Sequence, residues 1–223
     1  MARFPLTVRK AVKLKRLLSF RLTKTDLKER VKTVSKKGKF VFVLLLAAIG
    51  LAACSPFQKQ GPVVDNFTFI NQHNEEFGLE QLEGKVWIAD FIFTNCETIC
   101  PPMTAKLAAV QKELKAKGLD IEIVSFSVDP EVDTPERLND YLAKFTDDDS
   151  NWNLLTGYPQ ERIETFALDE FETLVNKPSG SDQVLHGVNF YIIDQDGAVV
   201  NEFSFTDPEL IDKMVEEIEK YAS

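Results

Sequence analysis

The sequence predicts an α/β layer domain behind a basic, apolar leader, and three observations carry that prediction. Val86–Phe93 (VWIADFIF) is apolar on both faces, as a central buried strand requires. From Pro62 onward, strand-like and helix-like apolar spacings alternate, the order being ββ-β-α-β-α-α-β-β-α. Proline stands at the start of each of the four helix-like segments. Composition agrees: with 44% hydrophobic and 27% charged residues, disorder, collagen and a multispanning membrane protein are excluded.

Taken in order, Phe67–Ile70 and Phe77–Leu79 flank the turn-like cluster Asn71-Gln72-His73-Asn74 and predict an N-terminal β-hairpin. After the strand Val86–Phe93, Pro101 and Pro102 open a helix that runs to Gly118, its C-terminal stop. Met103, Leu107, Val110 and Leu114 form its apolar stripe. Ile121–Val128 (IEIVSFSV) is a second strand. Thr134 caps a helix reaching Phe145, with Pro135 at its first position. Pro159–Phe171 is another helix. Phe190–Ile193 and Val199–Phe205, joined through Asp196-Gly197, form a hairpin. A last helix spans Asp207–Tyr221, with Asp207 as cap and Pro208 following. No internal repeat is visible.

The net charge of -9 conceals a division. Residues 1–53 carry 14 Lys and Arg against 2 Asp and Glu, and residues 54–223 carry 12 against 33. So acidic a domain repels phosphate backbones, which excludes nucleic-acid binding. Phe40–Ala53 is a run of 14 uncharged residues preceded by Lys36, Lys37 and Lys39. A spanning helix needs roughly 20, so the run fits the apolar core of a signal peptide. Leu51-Ala52-Ala53-Cys54-Ser55 resembles a bacterial lipobox. That resemblance implies lipidation of Cys54 and a location on the outer face of the cytoplasmic membrane. The expected organisation is therefore a leader over 1–53, a lipidated tether over 54–61 and a domain over 62–223. Residues 1–33 are an unusually long basic lead for such a signal, and a translation start at Val34 would remove them.

Three cysteines are too few for a disulfide scaffold, and two histidines exclude a multi-histidine metal site. With Cys54 assigned to lipid, Cys96 and Cys100 remain as a pair in a compartment that permits disulfides. They lie in Phe93-Thr94-Asn95-Cys96-Glu97-Thr98-Ile99-Cys100-Pro101, where a buried strand ends and a proline-led helix begins. At a helix N-terminus, free N–H groups and the helix dipole are expected to lower the Cys100 thiol pKa. Residues i and i+4 share a helical face, so a maintained turn lets both sulfurs reach one ion.

This motif resembles the cysteine motif of the Sco/SenC family. His186-Gly-Val-Asn-Phe-Tyr-Ile-Ile-Asp-Gln-Asp-Gly197 resembles that family's histidine, following strand and Asp-Gly turn. Ser127-Val-Asp-Pro130 with Asp133-Thr-Pro135 resembles the segment between them, so the likeness spans roughly Pro62 to Tyr221. It is nearest the lipid-anchored members of Gram-positive bacteria. The resemblance implies a thioredoxin-like fold and one bound copper ion, Cu(I) or Cu(II), held by Cys96, Cys100 and His186. It also implies a role in assembling the CuA centre of cytochrome c oxidase, through copper delivery, thiol reduction or both. The implied partners are the CuA domain of oxidase subunit II and a copper donor or thiol reductant protein. Donor chemistry agrees: thiolates suit Cu(I) and imidazole also suits Cu(II), although zinc accepts the same set.

The remaining polar residues divide by setting. Asp90, within the buried strand and six residues before Cys96, resembles the buried acid of thioredoxins and is a candidate for proton handling at the thiols. Asp129 and Asp133, at a strand end, are either neighbours of a metal site or turn and cap residues, the structural role being favoured. His73 reads as a solvated turn residue, Met103 as core and Asp147–Asp149 as a solvated loop. The competing function is a thioredoxin-type thiol–disulfide oxidoreductase. Three residues between the cysteines, where thioredoxins have two, and the presence of His186 argue against it. A peroxiredoxin is excluded because no Thr stands three residues before Cys96.

Overall fold

The computed structural model describes residues 61–119 and 121–222. Gln58–Ser223 forms one compact unit. The leader, Cys54 and the tether as far as residue 60 lie outside the described residues.

Five strands build the main sheet in the order β5-β4-β3-β8-β9: β5 is Trp152–Leu155, β4 Glu122–Ser127, β3 Trp87–Ile92, β8 Asn189–Ile193 and β9 Val199–Ser204. β3 runs parallel to β4 and antiparallel to β8, and every one of its residues is buried. That is the central position expected of an octapeptide with no polar face. The strand places Trp87, Ala89 and Phe91 on one face and Ile88, Asp90 and Ile92 on the other. Trp87 and Phe91 both meet Phe171, from helix α4 (Gln160–Phe171), edge to face.

Helix α2 (Cys100–Ala116) buries Cys100, Met103, Leu107, Val110 and Leu114, the predicted stripe with the first cysteine of the helix added. Gly118 ends it at φ +72°, and Leu119 N–H closes back on the Leu114 carbonyl at 3.0 Å. α2 packs against the terminal helix α5 (Leu210–Tyr221). Helix α3 (Pro135–Leu142) begins as predicted, with the Thr134 hydroxyl accepting from Arg137 N–H. A single turn of helix, α1 (Leu79–Leu82), follows the hairpin.

The N-terminal part of the unit covers both sheet edges. Gly61–Val64 runs beside β9, with Gly61 N–H on the Val199 carbonyl and Val199 N–H on the Pro62 carbonyl. The predicted hairpin, β1 (Thr68–Ile70) and β2 (Glu76–Gly78), lies at the β5 edge, where Ile70 and Thr156 exchange both backbone hydrogen bonds. Gln72 adds a side-chain pair of bonds to the Trp152 carbonyl and Leu154 N–H. Covered edges do not recruit further strands. Phe67, just before β1, packs on Phe126 and Phe166 and so joins the hairpin to the core.

Two expectations change. Asp207 does not cap α5, which starts three residues later behind Glu209. Its carboxylate instead accepts from Glu209 N–H at 2.8 Å, a local turn that competes with helix for the same donors. Sequence periodicity also missed β5 and a small ribbon, β6 (Val175–Asn176) with β7 (Leu185–His186), because runs of four and two residues are too short to show a period. Among the described residues, no helix is long and apolar enough to cross a membrane.

Candidate metal and thiol site

The site forms where β3 ends. Phe93 is buried, and the chain turns so that Cys96 N–H meets the Phe93 carbonyl at 3.2 Å. Thr94 is held by Asp133, whose carboxylate accepts from Thr94 N–H at 3.2 Å and from its hydroxyl at 2.5 Å. Arg137 donates to the Asn95 side-chain oxygen at 2.7 Å and the Thr94 hydroxyl at 3.1 Å. The cysteine loop is thus pinned from the side of α3. Cys96 and Cys100 are both free and buried, with Cys100 the first residue of α2.

Their thiols differ in a way that corrects the sequence reading. Cys100 supplies a helix-terminal N–H, and that N–H points at the Cys96 sulfur, 3.3 Å away. Burial pushes the Cys96 thiol up, but donors from Cys100, Ile99 and Thr98 together outweigh it and bring its pKa below the ordinary value. Burial drives the Cys100 thiol far upward instead, and its neighbours Cys96 and Asp90 add to the rise. The helix N-terminus therefore activates the cysteine that precedes it, not the one that begins it.

His186 arrives from the β6–β7 ribbon, in which it stands opposite Val175. Its Nδ1 lies 2.7 Å from the Gly187 carbonyl, which accepts only if Nδ1 carries the proton. Nε2 then presents a lone pair, 3.6 Å from the Cys100 sulfur. Burial holds the imidazole pKa below its usual value, against the opposing pull of the Gly187 carbonyl, so the ring is neutral at pH 7. Phe93 packs its ring edge-on to the imidazole. Gly187 is required here by close approach: a Cβ at this position would lie 2.1 Å from the Thr173 hydroxyl.

This donor set fits a thiophilic metal. It offers one activated thiol, a second thiol and an imidazole whose other nitrogen is fixed by a carbonyl, the usual arrangement of a ligating histidine. Among the described residues, no three Cys, His, Asp or Glu side chains stand together as a ready-made metal cluster. Cys100 and His186 are in contact, and the Cys96 sulfur is turned toward the start of α2.

The other candidate residues are placed as follows. Asp90 is fully buried; burial lifts its pKa to about 7, and the hydrogen bond from Ser125 only moderates the rise. Trp152 Nε1 donates in turn to Ser125 at 2.9 Å, and Asp90 Oδ2 has no hydrogen-bond partner among the described residues. Asp129 is buried and paired with Lys177 at 2.7 Å, and Asp133 serves the cysteine loop. His73 lies on the exposed β1–β2 turn, 3.0 Å from Asp149, and Met103 is core. Sequence reasoning missed Thr94, Arg137, Thr173 and Lys177. Each contacts a partner dozens of residues away or sits in a loop without periodicity, so no local pattern marks them.

The SCO1/SenC family profile matches residues 56–223. The chain belongs to the SCO1/SenC family. A SCO1 protein homolog of Bacillus subtilis (strain 168) is 46% identical over 171 residues, covering 75% of this chain and 89% of that protein. Among solved structures, a SCO1/SenC family lipoprotein from Bacillus anthracis str. Ames is 47% identical with a TM-score of 0.72, covering 74% of this chain and 99% of the other. BsSco, a member of the Sco family of cytochrome c oxidase assembly proteins in which a disulfide switch was identified, is 44% identical at a TM-score of 0.68, covering 75% and 96%. The copper-bound ScoI of Arabidopsis thaliana is 29% identical at 0.61, covering 71% and 99%. The thioredoxin-like Sco fold accounts for the sheet order, the cysteine turn at the head of α2 and the histidine before β8.

Proposed function

We propose that this SCO1/SenC chain is a copper-binding assembly factor for the CuA centre of cytochrome c oxidase. Cys96, Cys100 and His186 hold one copper ion per chain, as Cu(I) or Cu(II). The observation that carries the reading is the meeting of the Cys100 sulfur and His186 Nε2 at 3.6 Å, beside an activated Cys96. The two thiols supply soft donors for Cu(I), and the imidazole adds a donor that Cu(II) favours. Copper is the cargo, and it passes by ligand exchange to incoming cysteines of the oxidase subunit II CuA domain. Residues 1–53 act as the export signal and Cys54 as the lipid anchor. This places the domain on the outer face of the cytoplasmic membrane, a reading supported by the lipoprotein relative from Bacillus anthracis.

The asymmetry of the two thiols favours a second role for the same residues, thiol reduction. A lowered pKa suits Cys96 to attack a partner disulfide, giving a mixed disulfide and releasing one partner thiolate. Cys100 then loses its proton and attacks the Cys96 sulfur. The partner leaves with both thiols reduced, and this chain keeps the two oxidised sulfurs as a disulfide. In this reading the Cys100 proton passes to Asp90, a buried carboxyl with a pKa of about 7 that acts on Cys100 electrostatically.

The test mixes Cu-loaded Gln58–Ser223 with a reduced, copper-free CuA domain, and the reduced metal-free chain with the oxidised domain. Copper appearing in the first acceptor supports delivery, and thiols appearing in the second support reduction. Neither occurring would overturn the assembly role.

A further inference from the structure

The segment that follows β4 holds both loops of the site. Ser127, the last residue of β4, donates its hydroxyl to Asp133 at 2.6 Å, and Asp133 N–H closes on the Asp129 carbonyl at 2.9 Å. From one end of this turn, Asp133 grips Thr94, two residues before Cys96. From the other end, Asp129 grips Lys177, one residue beyond β6, the strand paired with His186. The Asp129 side chain is 1% exposed and that of Lys177 15%, so the pair is shielded from solvent. Glu131, 67% exposed, is a second partner of the lysine at 3.1 Å. The lysine backbone is held as well: its N–H donates to Glu164 on α4 at 3.0 Å. Gln160 bridges Glu164 to the Val128 carbonyl of the same turn.

A shielded ion pair restrains geometry more firmly than a surface pair, because neither partner has water as an equal alternative. Lys177 is also well placed for leverage. The β6–β7 ribbon beside it has only two residues per strand, so its position depends on tertiary contacts, the buried Val175 and the Lys177 pair among them.

We propose that Lys177 is a positioning residue for His186. Its ion pair with Asp129 fixes the β6–β7 ribbon to the turn that also anchors the cysteine loop through Asp133 and Thr94. The separation of His186 from Cys96 and Cys100 is thereby set by one rigid segment, Ser127–Asp133. The proposal rests on the reading of these three residues as one copper site.

The test uses Gln58–Ser223, which carries its own core, in wild-type form and as Lys177→Met, Lys177→Arg, Glu131→Gln and the double variant Asp129→Asn/Lys177→Met. Lys177→Met alone strands a buried carboxylate and is prone to unfold. The double variant removes the pair without leaving a charge. The first readout needs no metal: the rate at which diethyl pyrocarbonate modifies His186 in the reduced protein, with His73 as internal reference. The folded double variant should modify His186 roughly tenfold faster, with the His73 rate unchanged. Lys177→Arg and Glu131→Gln should keep the wild-type rate. The second readout is metal dissociation, where Cu(II) should leave the double variant roughly tenfold faster while Cu(I), held by the thiolates, is little affected. A wild-type His186 rate in the folded double variant would overturn the proposal. If wild-type protein fails to hold copper, the copper reading falls, and the modification rates still decide whether Lys177 positions His186.

Discussion

His186 Nε2 lies 3.6 Å from the sulfur of Cys100, although 86 positions separate them in the chain. Two unrelated pieces of local structure make that meeting possible. β3 delivers the cysteine turn at its C-terminal end, in the middle of the sheet, and a two-strand ribbon swings the histidine back over it. The imidazole arrives with Nδ1–H spent on the Gly187 carbonyl and its lone pair facing the thiol.

The two thiols should react at different rates. In the reduced protein near neutral pH, iodoacetamide should alkylate Cys96 at least about tenfold faster than Cys100, since one pKa unit corresponds to tenfold in thiolate. Peptide mass spectrometry over a time course measures both. Equal rates, or faster loss of Cys100, would show that the N–H groups at the head of α2 do not act on Cys96.

Asp90 should make folding stability depend on pH. Its folded pKa, about 7, lies well above the 3.8 of an ordinary aspartate. The folded state therefore keeps a proton that the unfolded chain has lost. Its contribution is fully present below about pH 4, falls as pH rises toward 7 and is flat above that, amounting to at most about 4 kcal/mol. Urea unfolding of wild type and Asp90→Asn across this range gives the measurement. The variant should gain on the wild type between pH 4 and 7 and hold its advantage above 7. Parallel curves would place the titration elsewhere.

Gly187→Ala should destabilise the domain by about 1–3 kcal/mol, because the new methyl meets the Thr173 hydroxyl in a packed region. Removing that hydroxyl should restore much of the loss, so Gly187→Ala/Thr173→Ala should be more stable than Gly187→Ala alone. Chemical denaturation of the four members of the cycle measures the coupling. Additive losses would mean that the two residues do not crowd each other.

Much of this architecture is legible in the chain because its signals are local. The all-apolar run Val86–Phe93 has nowhere to sit except the middle of a sheet. Thr134-Pro135 and Gly118 mark helix ends through chemistry that acts within a turn. The cysteine motif and His186 are legible through family resemblance and a spacing that joins a strand end to a helix start. What the sequence conceals is non-local. The direction of the pKa shifts at Cys96 and Cys100 depends on which sulfur the N–H groups face, and i+4 spacing does not state that. β5 is recognisable only from its place beside β4, since four residues carry too little pattern. Lys177 looks like any loop lysine until the fold sets it against Asp129, 48 residues away.

The measurement that bears most directly on the central claim is a Cu(II) titration of reduced Gln58–Ser223, followed by absorption and electron paramagnetic resonance, with His186→Ala and His73→Ala alongside. A single Cu(II) per chain should develop sulfur-to-copper charge transfer and nitrogen hyperfine coupling. His73→Ala should retain both, and His186→Ala should lose the nitrogen coupling and bind Cu(II) much more weakly. An unchanged spectrum and affinity in His186→Ala, or oxidation of the wild type to a Cys96–Cys100 disulfide with no Cu(II) retained, would contradict the assignment of these three residues to one copper site.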